Sequence, residues 1–156
     1  PKGAVHLQHD MLFATELFAI PVLQLTERDI LFSASKLFFA YGLGNGMYFP
    51  LGVGASTILN AERPQPQRVL ELVARHRPTV FFSVPTFYAA MLRCSGDFTS
   101  PSSPADFSSV RLAVSAGEAL PAEIFDQCRQ RFGIEVIDGI GSTEMLHMFI
   151  SSVPGF

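Results

Sequence analysis

Short apolar runs alternate with longer amphipathic segments along this chain of 156 residues. Each short run carries at most one charged residue and has the length of a buried β-strand. The six strand candidates are residues 30–34, 55–59, 79–83, 110–114, 134–137 and 148–151. The helix candidates are residues 5–20, 42–51, 66–76, 85–92 and 121–132. This alternation predicts an α/β fold that has a mostly parallel sheet with helices on both faces.

Local signals mark where several of these helices begin and end. Residues 66–76 place three branched apolar side chains on one face, which is typical of an amphipathic helix. Pro85 and Pro121 suit the first turn of the helices that they open, and Gly133 suits the cap after the second. Residues 94–109 are rich in serine, proline and aspartate, and this composition predicts a surface loop.

A charge-free stretch, residues 37–61, is long enough on length alone to cross a membrane. It contains five glycines and Pro50, which would leave a lipid-exposed helix badly broken. We therefore expect a glycine-rich segment buried inside the protein, and no membrane partner.

Composition narrows the class of protein. Apolar residues make up 48% of the chain and charged residues 16%, a balance typical of the interior part of a larger protein. The net charge of −3, with no cluster of basic residues, argues against nucleic-acid binding. Cys94 and Cys128 show no metal-binding spacing and are expected to be reduced thiols. No secretory leader is visible, so we expect a cytoplasmic protein.

Two glycine-bearing segments carry the candidate chemistry. Asp138-Gly-Ile-Gly-Ser-Thr-Glu144 follows a strand candidate and combines two glycines with hydroxyls and a carboxylate. Ser115-Ala-Gly-Glu-Ala119 follows another strand candidate. Glycine lets the backbone approach a ligand closely, and open α/β sheets bind ligands at the carboxyl ends of their strands. The pair therefore indicates a nucleotide–magnesium site.

Four ordered motifs resemble the adenylate-forming acyl-CoA ligases, and among them the benzoate–CoA ligase group. Pro1-Lys-Gly3 resembles the end of that family's phosphate loop, and Lys36-Leu-Phe-Phe-Ala-Tyr-Gly-Leu-Gly-Asn45 its aromatic motif. Residues 115–119 resemble the adenine-side loop, and residues 138–144 the Tyr-Gly-x-Thr-Glu motif. Ile140 replaces the usual tyrosine, and Ala116-Gly117 replaces a Gly-Gly pair; both departures are expected in the benzoate-type branch.

The resemblance covers essentially the whole chain and implies a domain assignment. Residues 1–156 would be an internal fragment of the large N-terminal, AMP-binding domain. The body of the phosphate loop would precede them, and the C-terminal domain with its adenylation lysine would follow. The fragment is expected to be inactive alone.

The resemblance also implies ATP, Mg²⁺ and coenzyme A as co-substrates or cofactors, and site residues for each. The nucleotide would be bound by Lys2, Ala116, Gly117, Glu118, Asp138, Gly139, Ile140, Gly141, Ser142 and Thr143. The aromatic carboxylate would contact Phe39, Ala40, Tyr41, Ala116, Gly139, Gly141 and His147. Thr143 and Glu144 would be catalytic, Glu144 as the magnesium ligand.

Each nucleotide-site assignment has a structural alternative. Lys2 could be a solvated lysine before a helix, and the Thr-Glu pair could be a helix N-terminus. Gly117 and Glu118 could form a simple strand-to-helix turn. Asp138 could contact the adenine amino group or cap the loop.

The acyl-pocket residues have alternatives as well. Phe38 is predicted to lie in the core, and Phe39 could do the same, whereas Tyr41 would face a flat aromatic acid across small neighbours. His147 could be structural or could bond the acid's carboxylate or a ring substituent. The other three histidines have no comparable context.

The sequence leaves two rival functions and the oligomeric state open. An adenylating enzyme could pass the acyl group to an acceptor other than coenzyme A, such as a carrier protein. A non-catalytic nucleotide-binding α/β module would use the same glycines only as turns. A homo-oligomer of the full-length protein is compatible with the sequence.

Overall fold

Residues 3–98, 103 and 105–155 are described by the computed structural model, and within them six strands form one sheet. The strands are β1 (Ile30–Ser33), β2 (Ser56–Ile58), β3 (Val80–Ser83), β4 (Leu112–Ala116), β5 (Val136–Gly141) and β6 (Met148–Ser151). Their order across the sheet is β2-β1-β3-β4-β5-β6. The first five are parallel, and β6 runs antiparallel to β5. The predicted mostly parallel sheet is confirmed.

Six α-helical segments accompany the sheet in the described residues. They are α1 (Asp10–Ala14), α2 (Ala40–Leu43), α3 (Phe49–Val53), α4 (Pro66–His76), α5 (Pro85–Leu92) and α6 (Ala122–Phe132). A π-helical turn, Thr15–Ala19, extends α1, and a second, Gly44–Tyr48, joins α2 to α3. Gly133 ends α6 in the left-handed conformation, as its sequence position predicts.

The helices bury both faces of the sheet. Phe81 and Phe82 are neighbours on β3, so their side chains point to opposite faces. Phe81 packs in a core with side chains of α4, α5 and α6. Phe82 packs in a second core with Phe18 and Phe49 from the helical segments around α1 and α3. Both faces are therefore apolar, which explains why the central strands are continuous hydrophobic runs.

The first helix is shorter than predicted. Residues 5–9 are not helical, because the chain there turns around Asp10, whose carboxylate accepts a hydrogen bond from the Leu7 amide at 2.8 Å. Leu12 and Leu17, expected on the apolar face of a helix, are 59% and 73% exposed. The spacing of apolar residues therefore predicted a helix in the right region. Only part of the apolar face of this helix packs against the rest of the chain.

The predicted surface loop, residues 94–109, is partly buried. Among its described residues, Phe98 and Phe107 are 3% and 0% exposed and pack against Phe132 of α6. Asp106, also buried, pairs with Arg77 at 2.5 Å. The interpretation as a plain surface loop was wrong, because two phenylalanines anchor a segment whose composition is otherwise polar.

The charge-free stretch is built into the protein. It forms the α2–α3 segment and β2, and Gly44, Asn45 and Gly46 are buried. In the part of the chain that the structure describes, no helix is long and apolar enough to cross a membrane.

An ion pair between the buried Asp29 and the half-exposed Arg111 lies at the amino ends of the strands, opposite the strand ends that carry the candidate motifs. Asp29, 5% exposed, directly precedes β1 and accepts hydrogen bonds from Arg111 Nε at 3.0 Å and Thr79 Oγ1 at 2.6 Å. The Thr26 amide donates a further bond to it. Burial alone would raise the pKa of Asp29, but the bonds from Arg111, Thr79 and Thr26 outweigh it and lower that pKa.

We expect Asp29→Asn to lower the free energy of unfolding of the full-length protein by about 1–2 kcal/mol at neutral pH, because the half-exposed Arg111 loses its charged partner. Since the folded pKa lies below the unfolded value of 3.8, this stabilisation is fully present above that value. It should fade as the pH falls further. Urea unfolding followed by circular dichroism measures both effects.

The exposed Arg28–Glu27 pair provides the control, because Glu27→Gln should lower the free energy of unfolding by less than about 0.5 kcal/mol. Equal losses of stability in Asp29→Asn and Glu27→Gln would contradict the stabilising role of the Asp29–Arg111 pair.

Candidate active site

The carboxyl ends of β4 and β5 meet beside the start of α2 and enclose a cavity of about 390 Å³. Nine residues of the predicted site line it, namely Phe39, Ala40, Tyr41, Ala116, Gly117, Gly141, Ser142, Thr143 and His147. Ser35, Val84 and Met148 complete its wall and were not found from the sequence. The structure thus brings together residues from three separate motifs, as strand ends on one edge of a parallel sheet require.

A second cavity of about 370 Å³ adjoins the first and shares Gly117 and Gly141 with it. Its walls contain the predicted nucleotide residues Glu118, Asp138, Gly139 and Ile140. Ala119 and a part of β6, Ile150 with the two serines that follow, complete the lining. We call the two adjoining cavities together the cleft. The sequence predicts its acyl side at Tyr41 and its adenine side along β5.

The Asp138–Glu144 motif is strand for its first four residues, not a loop as predicted. β5 continues to Gly141 because it pairs with β4 on one side and with β6 on the other. No helix begins at the Thr-Glu pair, so that alternative is also wrong. Residues 142–147 instead form a turn into β6, in which Leu146 holds the left-handed conformation at φ 66°.

The glycines of β5 are required by β6. A Cβ at Gly139 would lie 2.5 Å from the Ile150 carbonyl oxygen, and one at Gly141 would lie 2.6 Å from the His147 carbonyl oxygen. Neither backbone atom can move aside as a flexible side chain can. From the sequence, we expected these glycines to leave room for a ligand. The structure shows that they also allow β6 to pack closely against β5.

On the adenine side, two carboxylates bind backbone amides. Glu118 accepts a hydrogen bond from the Thr86 amide at the start of α5, at 3.2 Å. Asp138 Oδ2 accepts one from the Leu120 amide at 3.0 Å, and its Oδ1 is buried without a partner among the described residues. Gly117 has φ 95°, a conformation that favours glycine, and this lets the backbone turn out of β4.

On the acyl side, Tyr41 is held in place through its hydroxyl. That group donates towards the Val114 carbonyl at 3.1 Å and the Ser83 carbonyl at 3.3 Å. Burial, with a smaller contribution from the charge of Asp138, raises the pKa of Tyr41 well above its ordinary value. The hydroxyl therefore stays neutral, and the ring can serve only as a fixed apolar wall.

Phe38 was predicted as a core residue, and this was wrong. It is 79% exposed and packs its ring on Phe39, 58% exposed, with the centroids 4.6 Å apart. Both phenylalanines precede α2 in a turn that carries them over the surface. Only Phe39 of this pair reaches the cavity lining.

His147 is 2% exposed and lines the acyl side from within a cluster of rings formed with Phe18, Tyr41 and Phe49. Its Nε2 lies 2.9 Å from Asn45 Oδ1, and its Nδ1 has no hydrogen-bond partner. Burial lowers the pKa of His147 to about 3, although the Tyr41 backbone opposes this in part. The imidazole is therefore neutral and presents no positive charge to the cavity.

Thr143 lines the mouth of the cleft, and Glu144 follows it directly but lines neither of the two cavities. Glu144 is exposed, and no cation forms a salt bridge with it among the described residues. Backbone hydrogen bonding at Glu144 and the Ser142 hydroxyl lower its pKa, so the carboxylate is ionised at neutral pH. His6, which has no sequence context that indicates a role, lies 2.6 Å from the Thr143 carbonyl oxygen and ties the start of the chain to this turn. The predicted Lys2 lies outside the described residues.

The donor set at this mouth fits magnesium bound together with phosphates. No group of three His, Cys, Asp or Glu side chains that could hold a metal occurs in the described part of the chain. Magnesium binds through one or two carboxylates and completes its shell with phosphate oxygens and water. A single carboxylate, that of Glu144, is therefore sufficient only in the presence of a polyphosphate.

A larger groove of about 700 Å³ lies between α1 and β6. Its walls are mostly apolar side chains, including Phe13, Leu17 and Phe149, and Glu144 stands at one end. It lacks the glycine-bearing strand ends that allow backbone to approach a ligand. We therefore place the candidate active site in the cleft and not in this groove.

A mostly parallel α/β sheet with a cleft at the carboxyl ends of its strands is the arrangement in which open α/β proteins bind their ligands. The chain belongs to the AMP-binding enzyme family, which it matches over residues 1–155. This membership confirms the resemblance to adenylate-forming enzymes that the four motifs indicated.

The proteins to which the chain is similar include benzoate–CoA ligases. A benzoate–CoA ligase of Thauera aromatica is 50% identical over 156 residues, which are 99% of this chain and 28% of that protein. The crystal structure of a benzoate CoA ligase from Burkholderia xenovorans LB400 has a TM-score of 0.89 at 50% identity. It is matched over 99% of this chain and 31% of its own.

An anthranilate CoA ligase solved in complex with anthranoyl-AMP is similar as well. Its TM-score is 0.91 at 42% identity, over 99% of this chain and 29% of that chain. The chain therefore spans less than a third of the length of these relatives.

We expect Gly139→Ala and Gly141→Ala each to lower the free energy of unfolding by about 1–3 kcal/mol, because each new methyl group forces β6 away from β5. Gly3→Ala is the matched control, since nothing lies within 4 Å of the position that its new methyl group would take. Thermal or urea unfolding of the full-length protein measures the difference. Unchanged stability in the two β5 variants would show that the glycines serve only the ligand.

Proposed function

We propose that this chain forms the adenylation cleft of an aromatic carboxylic acid–CoA ligase, with benzoate or a close analogue as the acid. The observation that carries the proposal is the adjoining pair of cavities, one flanked by a fixed tyrosine ring and one by the backbone of β5 and the Gly117 turn. An acyl-adenylate has the same two parts, an acyl group and an adenosine, joined through one phosphate.

The acyl side suits a thin, uncharged ring. Tyr41 provides an immobile aromatic face, and Ala116 and Gly141 leave the opposing walls without long side chains. His147 is neutral, so the wall offers no counter-charge to a second acidic group on the ring. These properties favour benzoate-type acids over acids that carry a further charge.

The proposed reaction has two halves. A carboxylate oxygen of the acid attacks the α-phosphorus of ATP, and pyrophosphate leaves with the electrons of the broken P–O bond. The thiol of coenzyme A then displaces AMP from the acyl carbon to give the thioester. Catalysis of this kind depends on positioning and charge neutralisation, so no protein nucleophile is needed.

Within this reaction, the residues at the mouth of the cleft have distinct roles. Thr143 would donate its hydroxyl to a phosphate oxygen, and Glu144 would bind Mg²⁺, which neutralises charge on the phosphates. Lys2 would add a positive charge at the phosphate tail. On the adenine side, the Gly117 turn and β5 from Asp138 to Gly141 would pack along the base, while Glu118 and Asp138 hold the surrounding backbone.

We further propose that residues 1–156 are part of a larger N-terminal domain, and that a C-terminal domain completes the whole protein. A cytoplasmic location and a homo-oligomeric state of that protein remain predictions from the sequence.

Carboxylate-dependent exchange of pyrophosphate into ATP by the full-length protein tests the proposed function. We expect exchange with benzoate and little or none with acetate or a long-chain fatty acid. Exchange without thioester formation on coenzyme A would favour the alternative acyl acceptor. Absence of exchange with every aromatic acid tried would favour the non-catalytic module.

We expect Glu144→Gln in the full-length protein to lower the adenylation rate by about 100-fold or more, because a carboxamide binds Mg²⁺ less well than a carboxylate. Stability should change little, since Glu144 is exposed and makes no salt bridge within the described residues. Single-turnover adenylation and thermal unfolding measure the two effects. Glu16→Gln, at another exposed carboxylate, serves as the control; severe unfolding of Glu144→Gln would instead indicate a structural role.

A further inference from the structure

Asn45 is a fully buried amide that contacts the acyl side without lining it. It lies in the π-helical turn Gly44–Tyr48, is 0% exposed, and is absent from the cavity wall. Its Oδ1 is 2.9 Å from His147 Nε2, and its Nδ2 donates towards Ser33 Oγ at 3.4 Å. A buried amide needs partners for both ends. Besides these two, Asn45 interacts with the Tyr41 hydroxyl, whose pKa it acts to lower.

The same helical turn holds the backbone that leads into His147. Tyr48, at the end of the turn, donates its hydroxyl to the Leu146 carbonyl at 3.2 Å. Leu146 has the left-handed conformation, which is unusual for a branched side chain and needs such support. His147 is therefore held twice, through its ring by Asn45 and through its backbone by Tyr48.

Gly44 lets the ring of His147 come this close. A Cβ at Gly44 would lie 2.5 Å from His147 Cδ2 and 2.7 Å from the Tyr48 hydroxyl. Any other residue at this position would therefore push the imidazole away from the helical turn. π-helical turns often occur at functional sites, where they re-aim a side chain within a helix.

We propose that Asn45 is a positioning residue for substrate selection: it fixes the orientation of the His147 ring, and this ring sets the shape of the acyl wall. Because Asn45 accepts a hydrogen bond, the proton of the neutral imidazole is on Nε2. Nδ1, a buried atom without a hydrogen-bond partner among the described residues, is then the acceptor nitrogen of the ring. The choice between an unsubstituted and a substituted ring thus depends on a residue that never touches the acid. This inference rests on the proposed function.

The test compares Asn45→Leu with Ser33→Ala in the full-length protein. Asn45→Leu removes the acceptor for His147, whereas Ser33→Ala removes another partner of the amide and leaves the His147 bond in place. We expect Asn45→Leu to change the ratio of kcat/KM for benzoate over 2-amino- or 4-hydroxybenzoate about tenfold, with the KM for ATP unchanged within about twofold. Ser33→Ala should keep the wild-type ratio.

A second measurement follows the ring directly. Two-bond ¹H–¹⁵N spectra of histidine-labelled protein report which nitrogen carries the proton, and we expect Nε2–H for His147 in the wild type and in Ser33→Ala. If Asn45→Leu does not fold, Gly44→Ala displaces the same ring by steric pressure and is expected to change the same ratio.

The inference is overturned if folded Asn45→Leu lowers kcat/KM by the same factor for all acids, or if it leaves kcat/KM unchanged for all of them. An effect of Ser33→Ala equal to that of Asn45→Leu, or an unprotonated Nε2 in the wild type, also overturns it. These outcomes are distinct from failure of the proposed function, in which the wild type itself shows no exchange with any aromatic acid.

Discussion

The close packing of β5 between β4 and β6 is the constraint on which the cleft depends. β5 pairs in parallel with β4 through Ala116–Gly139 and in antiparallel fashion with β6 through Gly139–Ser151. Because β6 returns beside β5, the turn of residues 142–147 is held over the strand ends and cannot extend away as a helix. Both cavities are bordered by this arrangement, and Gly141 stands between them.

A second set of contacts ties the α2–α3 segment to the same edge. Tyr41 reaches the backbone of β3 and β4, Asn45 reaches His147, and Tyr48 reaches the carbonyl of Leu146. Each is a polar contact made from a segment that is otherwise apolar and rich in glycine. The helical segment thus supplies the Tyr41 wall of the cleft and, at the same time, fixes the turn of residues 142–147.

Much of the fold could be predicted from the sequence, because hydrophobic period and the signals of proline and glycine are local. All six strand candidates correspond to strands, and the helices opened by proline at residues 66, 85 and 121 lie where predicted. The extent of β5 could not be predicted, since residues 138–141 become strand through pairing with β4 at Asp138 and Gly139 and with β6 from Gly139 onward. The burial of Phe98 and Phe107 depends likewise on partners that are distant in the chain. The polar residues around these two phenylalanines predicted a surface loop instead.

Residues of the candidate site could be predicted where they belong to a motif, and the others were hard to identify from the sequence. Tyr41, Gly117 and Thr143 belong to recognisable segments, and the structure brings them to one cleft. Asn45 had a usable signal, because an amide inside a charge-free buried helix must find hydrogen-bond partners. His6 had none, since its contact with Thr143 joins residues 137 positions apart.

The most direct test of the two-sided cleft is a crystal structure of the full-length protein with a non-reactive benzoyl-adenylate analogue. We expect the benzoyl ring on the face of Tyr41, next to Ala116 and His147, and the adenine along β5 beside Gly117. A ring bound in the groove between α1 and β6, or an adenine on the Tyr41 side, would contradict the assignment of the two cavities.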